Sequence, residues 1–150
     1  MVVGQFSQEV DVLIIGGGPA GYTAAFRSAE LGKNVAIVDP HETLGGRCLH
    51  QACIPTKGAY YGHGIDEVAQ YQTKLKNGLE QRCKSLGIER LIGNAHFESA
   101  KKVQITGEHV SIVKFRKAII ATGTSPREPL NENCIQVEDV YQTDSMSGKV

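Results

Sequence analysis

The chain has 150 residues, room for one domain with a core of its own and little space for two. Sixteen basic residues balance sixteen acidic ones with no basic stripe, which removes any electrostatic case for nucleic acid or an anionic membrane surface. At 41% hydrophobic with 17 glycines, the composition is globular and asks for several tight turns or close ligand approaches.

Residues 1–10 lack a cationic stretch followed by an apolar run and so do not read as a secretory signal. The apolar run at 12–15 is far too short to span a bilayer. These features predict a soluble, cytoplasmic protein. In that compartment the four cysteines are not expected to be structural staples, and a disulfide would be redox-active.

The run at 11–15, Asp-Val-Leu-Ile-Ile, ends in glycines and predicts a buried parallel strand. Residues 19–31 predict a helix, with Pro19 suited to a first turn and Gly32 to a stop. Residues 34–38 predict a second strand, completing a βαβ unit with a right-handed crossover. A loop at 41–46 leads to a helix expected to begin near Cys48 and run past Lys57, weakened by Gly58, Gly62 and Gly64. Residues 66–86 place Val68, Tyr71, Leu75, Leu79 and Leu86 at helical spacing, with Gly87 as a stop. Short strands follow at 91–92, 103–105 and 110–112, predicting a small antiparallel meander. Another buried strand is expected at 117–121, and the tail beyond Pro126 has no strong period. The fold class is therefore α/β: a Rossmann-like domain with a central parallel sheet, crossover helices and a β-meander.

Gly16-Gly17-Gly18-Pro19-Ala20-Gly21 fits G-x-G-x-x-G, and it sits where that pattern carries meaning, between a strand and a helix. Gly16 would allow the tight turn, Gly18 would admit a pyrophosphate, and Gly21 would let helix and strand pack closely. The helix N-terminus, at Pro19 and Ala20, offers N–H groups and partial positive charge to phosphates. Asp39 ends the second strand, where a carboxylate can accept hydrogen bonds from both hydroxyls of an adenosine ribose and repel a 2′-phosphate. The motif does not choose between NAD and FAD.

Cys48 and Cys53 are five positions apart and can be bridged if a turn brings their Cα atoms within roughly 7 Å. At a helix N-terminus a thiolate is stabilised, so its pKa is expected to fall, and Lys57 adds positive charge one turn on. From the residues alone, two other readings stay open. The cysteines could be buried core thiols, or Cys48, His50 and Cys53 could hold a metal, although C-x-H-x-x-C is an uncommon zinc spacing.

Taken together, Gly21-Tyr-Thr-Ala-Ala-Phe-Arg27, Leu44-Gly-Gly46 and Cys48…Cys53-Ile-Pro-Thr-Lys57 resemble the pyridine nucleotide–disulfide oxidoreductases. The resemblance runs from Val10 to about Pro126 and is strongest to the dihydrolipoamide dehydrogenase branch; glutathione and mercuric reductases share the architecture. It implies FAD as cofactor, with Gly16, Gly18, Pro19, Ala20 and Gly21 at the pyrophosphate and Asp39 at the ribose. Gly45, Gly46 and Arg47 would lie along the cofactor, as would Ala95, in a segment similar to the one that meets the adenine. Ala121-Thr122-Gly123 resembles the second flavin contact. Cys48 would be the interchange thiol, Cys53 the charge-transfer thiolate against the isoalloxazine, and Lys57 would lie near the flavin N5 edge. The implied activity passes electrons between a dithiol or disulfide substrate, small or lipoyl-borne, the Cys48–Cys53 disulfide, FAD and, through a further domain, NAD.

Departures from the family pattern are Arg47 in place of a small residue, His50-Gln51-Ala52 in place of Asn-Val-Gly, Asp39 in place of Glu, and a short stretch between Lys57 and Gly93. Family proteins continue into nicotinamide and dimerisation domains and are homodimers. Residues 1–150 are expected to hold only the FAD-binding part and not to complete a turnover alone. Cys83, Cys134 and His63 are read as functionally ordinary, His63 for want of an orienting carboxylate. Tyr60 and Tyr61 fit either a flavin cleft or core packing, and Arg82, Lys84 and Arg90 a solvated face.

Overall fold

A computed structural model describes residues 6–107 and 111–125 of the chain. The elements follow in the order β1 (Phe6–Ile15), α1 (Pro19–Glu30), β2 (Val35–Asp39), α2 (Gly46–His50), α3 (Cys53–Tyr60), α4 (Ile65–Ser85), β3 (Glu89–Ile92), β4 (Asn94–Ser99), β5 (Lys102–Thr106) and β6 (Ser111–Ile120). One six-stranded sheet has the order β3-β2-β1-β6-β5-β4. Its first four strands are mutually parallel, and β5 and β4 extend it antiparallel. The expected βαβ unit is β1-α1-β2.

Alternation along the strands builds two apolar layers, because successive side chains point to opposite faces. Leu13, Ile15, Ala36 and Val38 face one way and join Val103, Ile105, Val113 and Phe115 from the meander. Ile14, Val35 and Ile37 face the other way and meet Ala25 of α1, Leu44, Cys83 of α4 and Ile88. Leu13, Ile14, Ala25, Ala36 and Leu44 are completely buried. Both faces of the central strands are covered, which is why they read as unbroken apolar runs.

Three expectations about elements change. The strands expected at 110–112 and 117–121 are one strand, β6, with Val110 outside the described residues. Lys114, Arg116 and Lys117 break the apolar run without ending the strand, since they point outward from a ladder paired to β1 along its whole length. The strand containing Leu91-Ile92 is a parallel edge strand against β2, and the meander is β4-β5-β6. The single helix expected through the cysteines is two, α2 and α3, broken at Gln51-Ala52. Pro55 supplies the reason: it has no N–H for the carbonyl four residues back, Gln51, and its ring would clash there.

Helix α4 has the expected periodicity, but its apolar stripe is covered unevenly, with Val68 half-buried beside Gly58 of α3. Leu79, Cys83 and Leu86 pack into the core, whereas Tyr71 and Leu75 stay exposed. The basic residues of this region are not merely solvated. Arg82 pairs with Glu30 at 2.6 Å and lies over the Phe26 ring, and Arg90 pairs with Glu80 at 3.3 Å and donates to the Glu42 carbonyl.

Two glycines give opposite expected outcomes. A Cβ on Gly21 would overlap the Gly16 carbonyl oxygen, whereas one on Gly78, inside α4, would meet nothing within 4 Å. Gly21→Ala is expected to destabilise by more than about 2 kcal/mol through overpacking. Gly78→Ala is expected to stabilise by roughly 0.5–1 kcal/mol through helix propensity. Urea unfolding at unchanged slope measures both.

Candidate functional site

The site lies beyond the C-terminal ends of β1, β2 and β6, where ligands bind in open parallel sheets. The turn after β1 is anchored on two sides: Gly16 N–H donates to Val38 O at 2.8 Å, and Ala121 N–H donates to Ile15 O at 2.7 Å. Gly16 has φ +108°, and a Cβ there would overlap the Ala121 carbonyl oxygen. The first and third glycines of the motif thus have the packing roles expected of them. Gly18 differs, because a Cβ there would meet only Gly46 Cα, at 4.0 Å. The second glycine therefore faces open space. Gly18 is also the N-cap of α1, where no side chain caps the first turn and no acidic residue stands in it. The helix N–H groups behind it remain available.

Asp39 closes the turn from β2. Its carboxylate accepts the Gly17 N–H at 2.6 Å and the His41 N–H at 2.8 Å. It is half-buried, and each oxygen keeps a further lone pair. Gly93 N–H donates to Asp39 O at 3.0 Å, which brings the segment of Ala95, at the start of β4, to the end of β2.

The second glycine pair docks on the first. Gly45 N–H donates to Gly17 O at 2.9 Å, and a Cβ on Gly46 would come within 2.8 Å of Gly18 Cα. Gly45 and Gly46 have φ of +120° and +55°, a region disfavoured for other residues. Leu44, fully buried, lies under Gly17 and fixes the approach of α2. Arg47 and Cys48 follow on α2, both half-buried. Thr122 and Gly123 follow Ala121 and are exposed.

Cys53 is the first residue of α3 and is exposed; Lys57, also exposed, stands one turn on. Both cysteines are free thiols, carried on the adjacent short helices α2 and α3. The Cys48 pKa is raised, against the expected fall. The hydrogen bond to Cys53 contributes most, followed by burial and the Cys53 charge, while Lys57 opposes them. The dipole argument does not hold for Cys48, which is the third residue of a five-residue helix next to a second ionisable sulfur. Tyr22 on α1 senses the same group: burial, then the Cys48 charge, raises its pKa.

His50 directs Nε2 to Thr43 Oγ1 at 3.2 Å and to the Leu44 carbonyl at 3.1 Å. Among the described residues no three His, Cys, Asp or Glu side chains gather as a metal site. Nor is any described helix long and apolar enough to cross a membrane.

Two sequence readings outside the turn need correction. His63 does have a carboxylate partner, Glu67 at 2.9 Å, and meets the Tyr71 ring edge-on. Tyr60 and Tyr61 are exposed at 82% and 72%, so neither is a core residue. Cys83 is a buried core thiol whose pKa burial raises, and Cys134 lies outside the described residues. Sequence reasoning missed Gln72 and gave Leu44 no role beyond its place in a motif, because both roles depend on partners distant in the chain.

The fold and this site define a Rossmann-like α/β domain with two free cysteines on short helices beside its glycine turn. The family model described as pyridine nucleotide-disulphide oxidoreductase matches residues 10–148, and the chain belongs to that family. It is 35% identical to dihydrolipoyl dehydrogenase 3 of Haloarcula marismortui and 34% identical to dihydrolipoyl dehydrogenase of Geobacillus stearothermophilus, each over 85% of this chain. These alignments cover 32% and 33% of the two relatives, so the chain spans about a third of the length of the curated relatives it matches. The Cu(II) complex of the HOCl-induced flavoprotein disulfide reductase RclA from Escherichia coli shares the fold, with a TM-score of 0.77 at 23% identity over 91% of this chain and 35% of that one.

Thiol reactivity follows the thiolate fraction, so the raised Cys48 pKa moves its alkylation profile to higher pH than that of a simple thiol. Cys53→Ala is expected to move the profile back down, and Lys57→Gln to move it further up. Peptide-resolved alkylation rates across pH 6–10 (a range chosen to bracket roughly two units either side of an ordinary thiol) check both directions.

Proposed function

We propose that residues 1–150 form the FAD-binding, redox-cysteine part of a dihydrolipoyl dehydrogenase-like disulfide oxidoreductase. The observation that carries this reading is the docking of α2, which bears Cys48 and leads directly into the Cys53 helix α3, against the glycine turn.

The residues fit the cofactor. The open face of Gly18 and the uncapped start of α1 suit a pyrophosphate held by Gly16, Gly18, Pro19, Ala20 and Gly21. Asp39 would add ribose hydroxyls to the two N–H groups it already accepts. Ala95, Gly45, Gly46, Arg47, Lys57, Ala121, Thr122 and Gly123 would line the remainder. FAD, when bound, supplies the electron transfer between the dithiol pair and NAD.

The chain's own chemistry is thiol–disulfide exchange. A substrate thiolate attacks Cys48 Sγ in the Cys48–Cys53 disulfide, the S–S bond breaks, and Cys53 leaves as a thiolate. The second substrate thiolate attacks the mixed disulfide, releasing the closed substrate disulfide and the Cys48 thiolate. Two electrons move from substrate to the cysteine pair. Lys57 stabilises the thiolate form of Cys48, while the neighbouring sulfur opposes two charges at once. The reading brings with it a small or lipoyl-borne dithiol substrate, NAD from a further domain, a homodimer and a cytoplasmic setting.

Oxidised glutathione is expected to give one intrachain disulfide mapping to Cys48–Cys53, lost in Cys48→Ser and in Cys53→Ser. Peptide mapping that finds no such bond would overturn the proposal. Gly18→Val is expected to leave stability within about 1 kcal/mol, a cap-sized effect, and to abolish FAD uptake in a fluorescence titration. Equal FAD affinity in that variant would remove Gly18 from the cradle.

A further inference from the structure

The two cysteine helices have few hydrogen bonds of their own. Five residues of α2 leave nearly every backbone group terminal, and such carbonyls need partners from elsewhere. The Arg47 carbonyl is answered locally, by the N–H groups of Gln51 and Ala52, each at 2.8 Å. The carbonyls of Leu49 and His50 are answered from a distance. Gln72, half-buried on α4, donates from Nε2 to Leu49 O at 2.8 Å and to His50 O at 3.1 Å. On the opposite side, the His50 ring reaches Thr43 and Leu44.

The two carbonyls held by Gln72 belong to the residues directly after Cys48, just before the break that turns the chain into α3 and Cys53. One amide group therefore ties the segment between the cysteines to a 21-residue helix that Cys83 and Leu79 seat in the core. We propose that Gln72 is a positioning residue for the redox pair, holding the α2–α3 junction that sets the approach of Cys48 to Cys53. This rests on the reading that the two cysteines form a disulfide.

The direction of the effect follows from chain freedom. Closing the bond releases two protons and two electrons from the thiols, and oxidised glutathione takes them up to become two reduced molecules. A junction already fixed has less conformational freedom to lose on closure, so the effective concentration of one thiol near the other is higher. Without the tether, the dithiol gains freedom and the equilibrium moves towards it.

The experiment is a glutathione redox titration of the full chain, read by thiol labelling and peptide mapping of Cys48 and Cys53. Gln72→Leu, which removes the donor at similar size, is expected to lower the oxidation equilibrium constant about three- to tenfold, the net effect of a hydrogen bond or two. Gln72→Lys keeps a donor of longer reach and is expected to stay within about twofold of wild type. Gln70→Leu, at an exposed position of the same helix, is expected to change nothing. An unchanged constant in Gln72→Leu, or an equal fall in Gln70→Leu or Gln72→Lys, would overturn the positioning role alone. Absence of the Cys48–Cys53 disulfide from wild type would overturn the underlying reading as well. Should Gln72→Leu fail to fold by thermal melting, the Lys variant decides: a fall there overturns the proposal, and retention supports it.

Discussion

The carbonyl oxygen of Gly16 occupies the place a side chain at position 21 would need, and the carbonyl of Ala121 occupies the place of one at position 16. Three backbone segments meet there without intervening side chains. The close contact lets α1 start directly over the end of β1, with its free N–H groups at the sheet's edge. It also leaves Gly18 as the one motif glycine with a vacant side. The division of labour follows from sterics: two glycines give up their side chains to the fold, and one to whatever lies in the cleft.

The sulfur pair depends on that turn at second hand. Gly45 and Gly46 seat α2 against Gly17 and Gly18, and Pro55 breaks the helix so that Cys53 restarts it. Two short helices in place of one set the approach of Cys48 to Cys53, which depends on where the chain is interrupted. Cys48 is harder to ionise than an isolated thiol, because the Cys53 sulfur and burial both disfavour its charge. Lys57 counters this only in part. Charge and geometry thus favour one thiolate at a time, the arrangement an exchange reaction uses.

Local signals made much of this legible. Apolar runs, glycine punctuation and motif spacing gave β1-α1-β2, the glycine turn, Asp39 and the cysteine pair, because each is set by residues close in sequence. Some of the failures come from partners distant along the chain, others from local partners that were overlooked. Lys114 to Lys117 looked like a gap between strands until β1 supplied a continuous ladder. Tyr71 and Leu75 have the spacing of a buried stripe, yet no described element covers them. Glu67 beside His63 was within reach of sequence reasoning, one helical turn away, and only the assumed boundary of α4 concealed it. Asp39 was found, but its engagement with Gly17 and His41 was not, since that follows from a side chain one methylene shorter than Glu.

The strand β6 lies between β1 and β5, parallel to the first and antiparallel to the second. It is the last described strand in the chain, and β1 is the first. During vectorial synthesis, therefore, the nascent glycine turn emerges with one wall missing, and nearly the whole domain must leave the ribosome before Ile15 meets its Ala121 partner. Pairing strands this far apart in sequence raises contact order, which slows folding. The glycine turn is thus not complete until β6 has paired with β1. The cleft and the sheet that carries it are completed in the same event.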